Sequence, residues 1–414
     1  MLKIDGVNTG FTNVDFSEKI KKSISELSKK YKQDKLGFVD LSEGKSLKEI
    51  QKFVEKNRYV FENVVVIGIG GSALGTKAVL SAIKGKYYNE LSLKKRLDFP
   101  KLYVLDNVDP EEIKDLSEII SIKKTLFIVI SKSGSTIETM SAYKFFKQKA
   151  IEKELDLKKH FVFIAGENSK FAEEKQKKAF KVFELQENVG GRFSVLSVVG
   201  LLPLALAGID IDKLLVGAKN YKKAFFEDSL ISNLALNSAL LQYDAYKNNS
   251  KNITVFFPYS SNLKEFGSWY KQLFNESLGK NGLGPTLTVS VGSTDQHSDL
   301  QLYREGPNDK FVIFLEIESF SKNYKIDKES EMRFGDLLNI EKYGTAKSLT
   351  EKNIKNYTIK IDRLDEKTLG ELIFFFEMQV AFLGELFEIN AFDQPGVEFS
   401  KKITNEKIKE LFGK

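Results

Sequence analysis

The chain has 414 residues, 42% hydrophobic and 29% charged, a balance that supports a sizeable core at a length that fits two domains. It has no cysteine and two histidines, which excludes disulfides, thiolate metal sites and a His-rich zinc or iron centre, leaves carboxylate-bound Mg²⁺ open, and favours a reducing compartment, the cytoplasm. The net charge of +6 comes from 57 lysines and six arginines interspersed with glutamates, the pattern of a solvated surface rather than of a nucleic-acid-binding face.

In chain order, the first 55 residues read as amphipathic helices with polar turns, and Met1–Gly10 lacks the apolar core of a signal peptide. Val64–Ile67, Leu102–Leu105, Leu126–Ile130 and Phe161–Ile164 are short apolar runs alternating with helical segments that begin near Thr76 and Glu138. Such runs predict βαβ units around a parallel sheet buried on both faces. Phe193–Ile209 is free of charge for 17 residues and contains Ser194, Ser197, Gly200 and Pro203. A membrane span needs about 20 residues, so this stretch is expected to be a buried helix and no membrane partner is implied. The alternation returns with strands at Ile253–Phe257, Thr286–Val291 and Phe311–Leu315, a helix from about Leu263, a long helix over Thr368–Ile389 and a final helix that Pro395 opens. The fold class is therefore α/β: two sandwich domains with parallel sheets, plus helical N- and C-terminal segments. The boundaries read as 1–55, 56–205 and 206–414, with a helical connection near 206–250.

Six segments carry chemistry. Gly68-Ile69-Gly70-Gly71-Ser72-Ala73 joins a strand to a helix, where glycines allow a sharp turn and bring amides to an anion. As a dinucleotide fingerprint it wants an acid about 20 residues on. The nearest acid at a strand end is Asp106, well beyond that, which favours a phosphosugar loop. Ser131-Lys132-Ser133-Gly134-Ser135-Thr136 crowds four hydroxyls, a lysine and a glycine into a second strand–helix junction, suited to phosphate. In Gly190-Gly191-Arg192-Phe193, one of the few arginines stands at the mouth of an apolar segment as a candidate oxyanion partner, with a helix-capping role as the alternative. On the helix around Trp269–Glu276, Gln272 and Glu276 share one stripe at the edge of the apolar face, in the last turn before Gly279. Apolar surroundings and a helix C-terminus would both suit Glu276 to act as a base. His297, in Gly292-Ser293-Thr294-Asp295-Gln296-His297, is a loop histidine suited to acid–base work. His160 has no such setting and is expected at the surface. Asp393-Gln394-Pro395-Gly396-Val397-Glu398 reads by itself as a helix start.

Taken together and in this order, these segments resemble the short bacterial form of the glucose-6-phosphate isomerase family, with domains of the sugar-isomerase (SIS) type, from about residue 60 to residue 402. The most specific matches are Gly190-Gly191-Arg192-Phe193-Ser194-Val195-Leu196-Ser197 and Gln394-Pro395-Gly396-Val397-Glu398-Phe399-Ser400-Lys401. Ser135 and Leu196 depart from the commoner threonine and tryptophan. The resemblance implies roles for individual residues. Gly71, Ser72, Ser131, Lys132, Ser133 and Thr136 would bind the phosphate end, with Gly191, Gln272 and Gln394 positioning the sugar. His297 and Lys401 would open the ring, Glu138 would orient His297, Glu276 would move the proton between C2 and C1, and Arg192 would stabilise the enediolate. It implies a small sugar phosphate as substrate, no cofactor or metal, and a homodimer with shared active sites. Alternatives are an isomerase that also accepts mannose 6-phosphate and a non-catalytic sugar-phosphate sensor. The sensor would not need Glu276, Arg192 and Lys401 together.

Overall fold

The computed structural model describes residues 2–6, 15–171 and 180–413. Its strands are β1 (Lys3–Asp5), β2 (Asn63–Ile67), β3 (Lys101–Leu105), β4 (Thr125–Ile130), β5 (Phe161–Gly166), β6 (Lys181–Leu185), β7 (Ile253–Pro258), β8 (Thr286–Val289), β9 (Lys310–Ser319) and β10 (Asn356–Arg363). They form two five-stranded sheets, ordered β3-β2-β4-β5-β6 and β1-β10-β9-β7-β8. All pairings are parallel except that of β1 with β10. Read from β8, the second sheet repeats the order of the first, and the antiparallel β1 fills the fifth place.

In each sheet the chain first steps one way, β2 to β3 or β7 to β8, then crosses back to the other side of its starting strand. That reversal opens a crevice at the carboxyl ends of β2 and β4, and of β7 and β9, where ligands of open α/β sheets bind. The strand residues explain why the sheets are covered on both faces. Val64 and Val66 of β2 and Ile128 of β4 enter one core, and Val65, Ile67, Phe127 and Val129 enter another with Leu116, Tyr143 and Phe146. In the second sheet Phe256, Phe311 and Ile313 join the first of these cores, while Val255, Phe257, Val312 and Phe314 pack with Tyr303 and Leu349. One central core therefore lies between the two sheets. Residues 206–250, expected to connect two domains, contain the helices Ile211–Lys222 and Leu234–Asn249, both packed on the long helix Glu366–Leu386. The first of these contacts is backbone-close: a Cβ on Gly217 would meet the Lys367 carbonyl oxygen at 1.9 Å, and one on Gly370 the Leu214 carbonyl oxygen at 1.9 Å.

Several expectations need correction. The N-terminal segment is not purely helical, because Lys3–Asp5 pairs with Asp5 opposite Thr358 and so extends the second sheet. The sequence reading missed β6 and β10, although Tyr357, Ile359 and Ile361 of β10 alternate with polar residues. His160 is not a surface residue. It is 8% exposed, its Nδ1 lies 2.9 Å from the Thr125 carbonyl oxygen, and its ring meets Phe61 edge-on. Pro395 opens a single 3₁₀ turn, Pro395–Val397, that leads into the helix Glu398–Phe412. The charge-free stretch does form a helix, Val198–Leu206, buried at every residue. Among the described residues no helix is long and apolar enough to cross a membrane.

One carboxyl is buried without compensation. Glu377, on the helix Glu366–Leu386, is 0% exposed, and neither oxygen has a hydrogen-bond partner among the described residues. Burial holds it well above the usual carboxylate range. A carboxyl whose folded pKa is raised favours the folded state fully below its unfolded value of about 4.3, and that advantage drains away as pH rises toward the folded value. Glu377→Gln removes this penalty. Thermal unfolding should show the variant gaining on the wild type between pH 5 and pH 8, and a gap that does not widen with pH would contradict the neutral buried acid.

Candidate active site

The two hydroxyl-bearing loops stand at the carboxyl ends of β2 and β4, on either side of the first sheet's crevice. They are neighbours: a Cβ on Gly68 would lie 2.8 Å from Ser72 Cβ and 3.3 Å from Ile130 Cβ. Ser131 Oγ is 3.0 Å from Thr136 Oγ1 and accepts from the Gly134 amide, while Ser133 Oγ is 2.8 Å from Ser135 Oγ. Thr136 precedes the helix Ile137–Glu152, whose first-turn amides have no carbonyl one turn earlier to bond. Hydroxyls and amides at a helix start are suited to an anion. Lys132 is engaged elsewhere: its ammonium donates to the carbonyls of Glu187 at 2.6 Å and Val189 at 3.3 Å, strapping this loop to the segment that leads into Gly190-Gly191-Arg192.

That segment touches the β2 loop backbone to backbone. A Cβ on Gly71 would meet the Gly191 carbonyl carbon and oxygen at 2.2 Å, so only glycine fits. Arg192 follows, its side chain 2% exposed. Nε donates to Ser277 Oγ at 2.7 Å, and one terminal nitrogen donates to the carbonyls of Ala391 at 2.6 Å and Asp393 at 2.9 Å. The other donates to Gln394 Oε1 at 2.9 Å and lies 3.4 Å from Glu276 Oε1. Burial pushes the guanidinium down from its ordinary value and Glu276 and Asp393 pull it up, yet an arginine stays charged.

Glu276 lies in the last turn of the helix Lys264–Leu278, as expected, with its side chain 27% exposed. Its oxygens do not face the apolar setting that the helix stripe suggested. One is near Arg192, and the other accepts from Gln272 Nε2 at 3.0 Å. Gln272 also abuts the β2 loop, since a Cβ on Gly70 would lie 2.9 Å from its Nε2. Gln272 Oε1 is buried with no partner among the described residues, an acceptor available to a ligand hydroxyl.

Three expected residues are not brought to this cluster by a contact within the chain. His297 closes the 3₁₀ turn Thr294–His297 after β8 and is exposed, with no hydrogen bond among the described residues. Glu138 is half-buried and lines a small cavity with Asp106, Asn107 and Thr139. Lys401 is exposed on the helix Glu398–Phe412 and pairs with Glu398 at 2.7 Å. Sequence reasoning missed Ser277, Lys280 and the carbonyls of residues 390–393 as partners in the cluster. Ser277 and Lys280 stand next to Glu276 in the sequence, but backbone carbonyls leave no signal there. Among the described residues no group of three or more His, Asp or Glu is gathered to hold a metal ion.

A doubly wound α/β fold thus carries hydroxyl loops at its switch point and a carboxylate beside a buried arginine. The phosphoglucose isomerase family model matches residues 49–301 and 321–413, and the chain belongs to that family. The glucose-6-phosphate isomerase of Methanocaldococcus jannaschii is 38% identical over 407 residues, covering 96% of this chain and 94% of its own. Among solved structures, a hypothetical protein from Thermus thermophilus superposes with a TM-score of 0.89 at 33% identity, covering 99% of this chain and 100% of its own. The glucose-6-phosphate isomerase of Chlamydia trachomatis superposes at 0.80 with 26% identity, covering 89% and 74%.

The Gly71–Gly191 contact can be tested directly. Gly71→Ala should be destabilised by roughly 1–3 kcal/mol in denaturant unfolding, the range for overpacking, because its methyl group meets backbone rather than a side chain that can swing away. A stability equal to wild type would show that the contact yields.

Proposed function

We propose that this chain interconverts glucose 6-phosphate and fructose 6-phosphate, with Glu276 as the base that moves the proton between C2 and C1. The observation that carries the reading is the Glu276 carboxylate held between Gln272 and the buried Arg192, beside the Gly70-Gly71 loop. The family match and the names of the relatives support it over a non-catalytic sensor, which would have no use for a base next to an oxyanion partner. The phosphate would dock on Ser72, Ser131, Ser133 and Thr136 at the start of the helix Ile137–Glu152, with Lys132 bracing the loop from behind.

The chemistry then follows from the groups present. The cyclic sugar opens as a proton reaches its ring oxygen and one leaves the C1 hydroxyl, the task assigned to His297 and Lys401 with Glu138 orienting the histidine. Glu276 takes the proton from C2, the C–H electron pair becomes the C1–C2 double bond, and the aldehyde π pair moves to O1. The charge that develops on oxygen is stabilised by the Arg192 guanidinium, already desolvated and fixed in place. Glu276 returns the proton to C1 while the O2 proton is lost and O1 regains one, giving the ketose. Gln272 and Gln394 hold the hydroxyls. No cofactor or metal enters any of these steps.

The role given to His297 calls for a second copy of the chain. His297 is exposed, and the helix Glu398–Phe412, which bears Lys401, buries no residue in the single chain and leaves Phe399 and Phe412 each 71% exposed. Both features support a C₂ homodimer in which His297 serves the neighbouring site. A phosphorylated sugar as substrate and the cysteine-free sequence both fit the cytoplasm.

Two experiments test this. In a coupled assay of fructose 6-phosphate conversion, Glu276→Gln should lose roughly 10²–10⁴-fold in kcat, the range for acid–base catalysis, and near-normal turnover would assign the base elsewhere. Glu276→Gln and His297→Ala should each be nearly inactive alone. Refolded together in equal amounts they should recover about a quarter of wild-type activity if His297 crosses the dimer axis, because one site of each mixed dimer then has neither defect. Mixed dimers without recovery would refute the shared site.

A further inference from the structure

The turn 390–394 is held by two cations, and the proposed chemistry uses only one of them. Lys280 lies just beyond the helix that carries Glu276, and its side chain is 10% exposed. Its ammonium donates to the Asn390 carbonyl and to the Asp393 carbonyl at 2.7 Å, and lies 3.0 Å from Asp393 Oδ1. The Asp393 carbonyl is shared with Arg192, which also holds that of Ala391. An ammonium has three protons and this one has three acceptors, so Lys280 has no donor left for a ligand. It can instead fix the turn. Without it the Asn390 carbonyl loses this donor, the Asp393 carboxylate loses its cation, and the loop that presents Gln394 to Arg192 is held from one side only. The arrangement is costly. Burial disfavours the charged amine and the Arg192 charge repels it, while Asp393 and Glu276 act in its favour. A second cation kept next to the first, on the same carbonyl, is hard to explain as surface solvation.

We propose that Lys280 is a positioning residue of the isomerisation: by gripping residues 390–393 together with Arg192 it fixes the guanidinium and Gln394 where charge develops on the enediolate, and so acts on kcat rather than on sugar-phosphate affinity. This rests on the isomerase reading above. Lys280 touches no substrate in this scheme, and its contribution is the placement of groups that do.

The test compares wild type with Lys280→Met by steady-state kinetics on fructose 6-phosphate and by calorimetric binding of two probes. One probe is the hydroxamate of a five-carbon sugar acid 5-phosphate, whose planar oxyanion mimics the enediolate. The other is glucitol 6-phosphate, which offers phosphate and hydroxyls but no oxyanion. Expected is a loss of roughly 10–10²-fold in kcat, matched by a similar loss of hydroxamate affinity, with KM and glucitol 6-phosphate affinity within about threefold of wild type. Lys280→Arg, which keeps the charge, should recover part of the loss. Unchanged kcat, or equal weakening of both probes, would overturn the proposal, the latter by showing a general collapse of the pocket. If the Met variant does not fold, Lys280→Gln is read on the same two probes. Wild-type protein unable to convert fructose 6-phosphate would sink the isomerase reading and this proposal with it. A competent wild type equalled by its Lys280 variants would sink this proposal alone.

Discussion

The site depends on one buried guanidinium. Arg192 is a permanent charge taken almost wholly out of water, and leaving its donors unmatched would cost several kcal/mol. Its fork therefore dictates where its acceptors must lie. Ser277 comes from the end of one helix, the carbonyls of Ala391 and Asp393 from an irregular turn, Gln394 from the next residue, and Glu276 from the helix again. Segments up to about two hundred residues apart are thereby brought to one point. The same contacts bring a carboxylate, a cation and an amide together. The interaction that satisfies a buried charge is also the one that gathers Glu276 and Gln394 around it.

The repeated sheet order explains why this point lies between the two halves. The helices that follow β2 and β7, Leu74–Lys84 and Lys264–Leu278, occupy equivalent places and pack on each other. The crevice of the first sheet stays open with its hydroxyl loops. The equivalent loop after β7 is covered by the first half, with Ser81 Oγ donating to the Asn262 carbonyl at 3.0 Å. One half carries the hydroxyl loops, and the other a helix whose last turn carries Glu276. Neither half contains the cluster by itself.

Much of this was legible in the sequence, for identifiable reasons. Strands such as Val64–Ile67 and Leu126–Ile130 are apolar at every position because both faces of their sheet are covered, and such runs stand out. Gly71 and Gly191 stood out as glycines, though only the structure shows that they touch. β1 was not legible, because three residues carry no periodicity. His160 was misread because its neighbours Lys158 and Lys159 are exposed, while its ring turns inward against Phe61 and the Thr125 carbonyl. The setting of Glu276 was misread for a deeper reason. Helical periodicity places it at the edge of an apolar stripe, but the groups that meet its oxygens include an arginine more than eighty residues away in sequence. A pattern within one element cannot report what another element brings to it.

Lys132 and Lys280 show how little a lysine's identity says about its task. Lys132 was expected to bind the phosphate, and Lys280 was given no role. Each donates to carbonyl oxygens, Lys132 to Glu187 and Val189 and Lys280 to Asn390 and Asp393, with the carboxylate of Glu187 or Asp393 close by. Both brace segments beside Arg192, one before it in sequence and one that accepts its hydrogen bonds. In the proposed reaction the phosphate end of the sugar would be left to hydroxyls and to the amides at the start of the helix Ile137–Glu152, which offer partial charges fixed in direction rather than a mobile ammonium. Such donors discriminate by geometry, because a hydroxyl or amide that misses an oxygen contributes little, whereas an ammonium on a flexible stem follows its anion. Fixing the phosphate rigidly matters for a reaction whose chemistry happens at the far end of a six-carbon chain, where small errors in placement are amplified before they reach C1 and C2.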